Sequence, residues 1–145
     1  MRVSMTGVVV VVAVLMAATA VGVWRRRRDG RLRAAPAAAT GRPALDTLGV
    51  RPGEVTLVQF SAPVCAPCRA TRRVLEQVTG DVPGVRLLEV DAERHLDAVR
   101  ALDVWRTPTV LLVDGAGRVV RRAAGVPTRD ELTAALRPLL ARAGR

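Results

Sequence analysis

Apolar and polar positions over residues 50–145 follow two patterns. Short runs rich in β-forming residues predict strands, and these runs lie at 55–60, 85–90, 110–113 and 118–124. Apolar residues at helical spacing predict helices over 65–79, 92–102 and 129–140. The predicted order is β-α-β-α-β-β-α. The first pairing, made by a crossover, is predicted to be parallel, and a Gly-rich turn makes the last pair an antiparallel hairpin, so the sheet is mixed.

Local signals set the ends of these helices. Gly80 is expected to end the first, and Thr128 with Glu131 forms the capping box of the last. Pro138 is expected to kink or shorten that last helix. In the middle helix, Leu96 and the apolar residues at helical spacing after it are expected to share one buried face.

The most apolar stretch, residues 5–24, carries no charge and is long enough for a helix to cross a bilayer. Six arginines follow in residues 25–33, against only Arg2 and the α-amino group before the stretch. The positive-inside rule therefore predicts a single-pass membrane protein whose following domain is cytoplasmic. A cleaved signal peptide is the alternative, because the small residues Ala18-Thr19-Ala20 resemble a cleavage site, and it would put the domain on the exported side.

Charge is spread unevenly along the chain, whose net charge is +10. The sequence predicts three segments: a membrane anchor over 1–28, a flexible linker over 29–49 in which glycine and proline recur among alanines, and a folded domain over 50–145. The basic excess lies mainly in the first two. Because an arginine run beside a membrane span sets topology, and no aromatic platform accompanies it, no nucleic-acid partner is expected.

The only two cysteines, Cys65 and Cys68, lie where the first predicted strand gives way to a helix. Unpaired N–H groups at a helix N-terminus favour the thiolate, so Cys65 is the expected nucleophile. Cys68, three residues later, is placed to resolve a mixed disulfide or to close a disulfide with Cys65. Pro67 is tolerated between them, because the first turn of a helix has no N–H bonds to lose.

A C-x-x-C pair also occurs in metal sites, but zinc needs about four ligands. The chain offers two thiols and one histidine, His95, in another segment where a solvated surface position is expected. Because a C-x-x-C pair beside a βαβ pattern is typical of redox proteins, we expect a thiol-disulfide oxidoreductase with no metal and no cofactor. The alternative is a membrane-tethered binding module, or a persulfide or metal carrier, without reductase turnover.

Further motifs lie along the predicted order of elements: Val58-Gln59-Phe60, Cys65 to Arg69, Val90-Asp91, Thr107-Pro108-Thr109, the Asp114 to Gly117 turn and Gly125. Together with the order of elements, they resemble the thioredoxin family over about residues 50–141. With its leader, the chain also resembles small membrane-anchored thioredoxin-like proteins of high-GC bacteria.

The resemblance implies a thioredoxin fold and an enzyme that exchanges disulfides. It implies that Pro108 is cis and lies beside the reactive sulfur, and that the backbone of Thr107 pairs with an extended substrate. Pro108 and the inter-cysteine residues Ala66 and Pro67 are expected to contact substrate, and Trp105 is expected either to contact substrate or to anchor its loop on the domain. Pro67 resembles the reducing members, so the expected partners are disulfide substrates and an upstream thiol reductant.

Three departures from the family pattern surround the cysteines. Gln59 stands where thioredoxins usually carry a buried aspartate, and glutamine cannot take a proton. Leu87 replaces the lysine of the second strand, and Ser61 and Val64 replace the usual flanking aromatic residues. We therefore expect slower turnover or different partners.

Overall fold

The computed structural model describes residues 5–35 and 41–144. It confirms the predicted α/β order and adds a short strand and a short helix before it. The elements are α1 (Met5–Arg28), β1 (Arg33–Ala34), α2 (Arg42–Thr47), β2 (Val55–Ser61), α3 (Ala66–Asp81), β3 (Val85–Asp91), α4 (Leu96–Ala101), β4 (Thr109–Val113), β5 (Val119–Ala124) and α5 (Arg129–Ala143).

The strands form one mixed sheet in the order β1-β5-β4-β2-β3. β2 runs parallel to β3 and antiparallel to β4, and β4 forms the predicted hairpin with β5. β2 lies between neighbours on both sides, and successive side chains point to opposite faces of the sheet. Val58 and Phe60 pack with α2 and α4, whereas Val55 and Leu57 pack with α3 and α5. The strand that leads to the cysteines is therefore buried on both faces.

The segment expected to be a flexible linker, 29–49, instead contributes secondary structure to the domain. Arg33 and Ala34 of β1 pair antiparallel with β5, which gives the outer backbone groups of β5 a partner. α2 then buries Leu45 against the sheet, so the folded domain begins well before residue 50. Residues 36–40, which include Pro36, lie outside the described residues.

The second crossover helix is shorter than the predicted span of 92–102. The carboxylate of Asp91 accepts a hydrogen bond from the backbone N–H of Glu93 at 2.9 Å, and the turn that follows delays the start of α4 to Leu96. Leu96 is 52% exposed, so the expectation that it is buried is wrong.

The ends of the other helices also differ in part from the prediction. α3 runs through Gly80 to Asp81, so Gly80 does not end it. Thr128 caps α5 by accepting the backbone N–H of Glu131 at 3.3 Å, and its hydroxyl donates to the Glu131 carboxylate at 3.0 Å. Pro138 lies inside α5 and does not shorten it, because the helix continues to Ala143.

α1 is long and apolar enough to cross a membrane by length and composition over Met5–Arg25. Its valine, leucine and methionine side chains are exposed, and it presents no polar face over its apolar length. At its end the guanidinium of Arg28 lies 3.9 Å from the centre of the Trp24 ring. The helix therefore qualifies as a membrane span or as a signal sequence.

Candidate redox site

The two cysteines lie at the carboxyl end of β2, where the chain leaves the sheet and enters α3. β2 ends at Ser61, and a short loop brings Cys65 to the N-cap of α3 with extended backbone, φ −138° and ψ 95°. Ala66 and Pro67 form the first helical positions, where a missing N–H costs nothing. The sequence-predicted strand-to-helix junction is therefore where the structure places the pair.

Cys65 and Cys68 are joined by a disulfide, with an S–S distance of 2.00 Å and Cα atoms 5.2 Å apart. Their surroundings differ. Cys65 is partly exposed, whereas Cys68 is buried at 4% exposure. An incoming sulfur can thus reach Cys65, while Cys68 lies beneath it in the core.

The start of α3 provides a hydrogen-bond donor for the outer sulfur. The backbone N–H of Cys68 donates to Sγ of Cys65 at 3.2 Å. Once the disulfide is reduced, this N–H and the positive end of the helix dipole favour a thiolate at Cys65. The desolvated position of Cys68 favours its neutral thiol.

Gln59 lies beneath the pair and is completely buried. Its Nε2 donates to the carbonyl of Cys68 at 2.9 Å, and its Oε1 has no partner within the part of the chain that the structure describes. Leu87, at the family's lysine position, packs in the apolar cluster on the same face of the sheet. The structure therefore sets an amide and an aliphatic side chain where the family pattern has a proton-accepting pair.

The Thr107–Pro108 peptide bond is cis, as the resemblance implies. Phe60 pairs with Thr109, so Pro108 comes level with Ser61 at the end of the sheet that carries the disulfide. Pro108 is buried, and its carbonyl accepts the N–H of Gly125 at 2.8 Å.

The side chain of Trp105 is 86% exposed, and its Nε1 donates to the carboxylate of Asp103 at 2.6 Å. It is therefore not packed into the domain as a loop anchor. Ala66 and Pro67 are exposed as well, and Thr107 is partly exposed. Four of the five residues proposed for substrate contact from the sequence are thus accessible to a partner, whereas the fifth, Pro108, is buried.

A polar pocket of about 240 Å³ opens beside the disulfide, and sequence reasoning did not predict it. Its charged side chains include Arg72, which lies 2.9 Å from Glu76 and 3.2 Å from Glu89. The hydrogen bond to Glu76 and the negative charge of Glu89 raise the pKa of Arg72. The lining residues are Ser61, Ala62, Pro63, Cys65, Cys68, Arg69, Arg72, Glu89 and Asp91. One signal in the sequence could have indicated this pocket. Ser61 and Asp91 end the parallel strands β2 and β3, where they pair with each other, so both side chains come to the same edge of the sheet.

Over residues 5–35 and 41–144, no three His, Cys, Asp or Glu side chains are grouped as a metal site. His95 lies on the exposed turn before α4, where its Nδ1 is 3.0 Å from the carbonyl of Asp91.

A family model described as thioredoxin matches residues 49–138. The chain is 31% identical over 78 residues to a thioredoxin of Chlamydia trachomatis, a match that covers 54% of this chain and 76% of that one. It is 31% identical over 115 residues to the thiol:disulfide interchange protein HelX of Rhodobacter capsulatus, covering 63% and 64% of the two chains. A match to the monothiol glutaredoxin-4 of Schizosaccharomyces pombe, 32% identical over 72 residues, covers 50% of this chain but only 29% of that longer protein.

Solved structures share the same fold. Thioredoxin from Trypanosoma brucei brucei superposes with a TM-score of 0.54 at 24% identity, over 62% of this chain and 78% of that one. Mitochondrial thioredoxin 3 of Saccharomyces cerevisiae, in its oxidised form, gives a TM-score of 0.55 at 20% identity, over 67% and 88%.

Proposed function

The chain belongs to the thioredoxin family and is a thiol-disulfide oxidoreductase, and we propose that it is a membrane-anchored reductase of protein disulfides. The observation that carries the proposal is the asymmetry of the cysteine pair. Cys65 is accessible at a helix N-cap and receives the N–H of Cys68, which is itself buried. One sulfur is thus placed to meet a partner and the other to complete the exchange within the protein.

In the proposed reaction, the Cys65 thiolate attacks one sulfur of the substrate cystine. A mixed disulfide forms, and the first substrate thiolate leaves. The thiolate of Cys68 then attacks Sγ of Cys65, which closes the Cys65–Cys68 disulfide and releases the second substrate thiolate. Two electrons pass from the dithiol to the substrate. A thiol reductant returns the pair to the dithiol by the same exchange in reverse.

The proton of Cys68 must leave before its attack, and Gln59 offers no base to receive it. The polar pocket beside the disulfide reaches both cysteines, so water there is within reach of the departing proton. The substrate thiolate released in the first step is the second acceptor. Resolution by Cys68 is therefore the step that we expect to be slow.

Substrate binding is proposed to use the surface around the cis proline. The backbone of Thr107 pairs with an extended segment of substrate, and Trp105, Ala66 and Pro67 contact its side chains. The exposure of these residues at the disulfide end of the sheet supports this assignment.

For location, we propose that α1 remains as a membrane anchor and that the redox domain is cytoplasmic. The four arginines that end α1, directly after its apolar stretch, support this orientation. A reductase also suits a compartment that keeps thiols reduced. Fusing a reporter that is active only in the cytoplasm, or only outside it, to the C-terminus tests the side. Activity of the exported reporter alone would replace the cytoplasmic assignment with an exported oxidoreductase.

The roles of the two sulfurs are tested with the full chain in detergent and a peptide that contains one cystine. Cys65→Ser should abolish reduction of the peptide. Cys68→Ser, the matched control, should still attack but should stall as a mixed disulfide visible as added mass. Retained turnover in Cys65→Ser, or adduct formation through Cys68 alone, would remove the proposed assignment.

A further inference from the structure

The first residues after α1 are already part of the folded domain. α1 ends at Arg28, and the N–H of Gly30 donates to the carbonyl of Ala124 at 2.6 Å. The guanidinium of Arg106 donates a hydrogen bond to the carboxylate of Asp29, with Nη2 and Oδ1 2.7 Å apart. No free spacer therefore separates the apolar helix from the sheet.

Close backbone packing holds this junction. Gly30 has φ +83°, and a Cβ there would lie 2.0 Å from the carbonyl oxygen of Val126. Gly125 has φ +104°, and a Cβ there would lie 2.9 Å from the nitrogen of Gly30. Both positions need glycine so that the two strands of backbone can approach. The pairing of β1 with β5 then continues the attachment.

The junction lies at the same end of the sheet as the disulfide. Phe60 at the end of β2 pairs with Thr109, Thr109 pairs with Ala124, and Ala124 bonds to Gly30. Neighbouring backbones in a sheet lie about 4.8 Å apart, so these three steps place the exit of α1 roughly 14 Å from the end of β2. A helix that enters the bilayer from this exit brings the disulfide end of the sheet with it.

Exposed apolar side chains gather at this end. Outside α1, the large apolar side chains exposed among the described residues are Val64, Leu96, Trp105 and Val126. Val64 precedes Cys65, Trp105 precedes the cis proline, and Val126 touches the α1 junction. Tryptophan and its apolar neighbours are favoured at a membrane interface and disfavoured in water.

We propose that the redox face of the domain lies against the bilayer surface, and that its substrates are cystines of membrane-bound proteins that lie close to that surface. This inference rests on the proposed reductase function and on α1 as its anchor. The exchange itself is unchanged: two electrons pass from the Cys65–Cys68 dithiol to the cystine. What the structure adds is a limit on the height at which that cystine is accessible.

The test uses the full chain in lipid vesicles, reduced beforehand and freed of excess reductant. The probe is one cystine peptide in three forms: free in solution, linked to a lipid through a few residues, or linked through about 20 prolines, a semi-rigid spacer of about 60 Å. The short-linked peptide should be reduced at least about 10-fold faster than the long-linked one. Its cystine stays near the membrane surface, where the domain is held, so its effective concentration at the Cys65–Cys68 pair is higher.

A variant separates orientation from chemistry. Inserting about 20 Gly and Ser residues between Arg28 and Asp29 removes the bond from the Asp29 N–H to the carbonyl of Arg25 but keeps the contacts of residues 29–34 with the sheet. The domain can then move over about 25 Å. The preference for the short linker should then fall to about 2-fold or less. The matched control, with the same insert after Gly144, should keep the wild-type preference. All three proteins should reduce the free peptide at the same rate.

Equal rates for the two linked peptides in the wild-type protein, or an unchanged preference after the insertion at Arg28, would overturn the inference. Failure of the wild-type protein to reduce even the free peptide would instead remove the reductase function on which it rests.

A second readout does not use turnover. In a Trp24→Phe background Trp105 is the only tryptophan, since the chain has two. Lipids with spin-labelled headgroups should quench its fluorescence, and the insertion between Arg28 and Asp29 should reduce that quenching. An unquenched Trp105 in the parent protein would overturn the inference even where reductase turnover is intact.

Discussion

Replacing Gln59 with glutamate tests whether water reaches the core beneath the disulfide. Gln59 is completely buried, and its amide donates to the carbonyl of Cys68. A protonated glutamate of nearly the same size can make the same donation, whereas a carboxylate would face that carbonyl without a donor. Burial therefore raises the pKa of the introduced carboxyl above its unfolded value of about 4.3.

The size of the effect follows from the surroundings of residue 59. Its in-register neighbour on β3, Glu89, is negative, but Arg72 lies 3.2 Å from that carboxylate and largely offsets it. Burial is then the main cause, and a rise of about 2 to 3 pH units is reasonable for such a site. The folded state binds the proton more tightly than the unfolded state. Stability is therefore fully present below about pH 4.3 and falls by about 1.4 kcal/mol per pH unit as the pH rises to the folded pKa, a total of about 3 to 4 kcal/mol.

The assay is urea unfolding of the oxidised full chain in detergent over a range of about pH 4 to 8. The quantity compared is the difference in unfolding free energy between Gln59→Glu and the wild-type protein, so that other titrating groups cancel. Gln59→Met is the matched control. It loses the hydrogen bond but adds no charge, and its deficit of about 1 to 3 kcal/mol should not depend on pH. A pH-independent difference for Gln59→Glu would refute the argument that this site excludes water.

Other substitutions address the core, a helix cap and the junction. Leu75→Ala should lower the unfolding free energy in urea by about 2 to 5 kcal/mol, since Leu75 is fully buried, whereas the exposed control Leu96→Ala should change it by about 0.5 kcal/mol or less. A loss equal in both would contradict the assigned core. Thr128→Ala should lower the unfolding free energy by about 1 kcal/mol through loss of the α5 cap. Thr128→Ser keeps the capping hydroxyl and should retain most of that free energy in the same titration. Gly125→Ala should cost about 1 to 3 kcal/mol and should loosen the contact with Gly30, seen as faster amide exchange there; unchanged exchange would contradict the close packing.

Strands and crossover helices were predictable because burial imposes a period on the sequence. β2 and β4 are buried on both faces, and apolar residues dominate both strands instead of alternating regularly with polar ones. The position of the disulfide followed from the same signal, because the end of β2 fixes the start of α3. Leu96 was misassigned because helical spacing alone does not show that the side chain of Asp91 holds the preceding residues in a turn.

β1 and the surroundings of the cysteines were not predictable in this way. Arg33 and Ala34 have no strand pattern of their own, and they pair only because β5 offers unpaired backbone groups. The bond from Gln59 to the carbonyl of Cys68 joins residues whose approach depends on how α3 crosses the sheet. Period and propensity carry no information on such contacts between elements.

The pairing of β1 with β5 has a practical consequence for anyone preparing a soluble form. A truncated protein that begins at residue 49, where the family match starts, loses β1 and leaves the backbone of Arg121 and Arg122 open along the rim of the sheet. An exposed edge strand can pair with strands of other molecules, so such a fragment should aggregate when it is concentrated. A version that begins at Asp29 removes the apolar helix yet keeps that rim covered, and it is the better starting point for crystallisation.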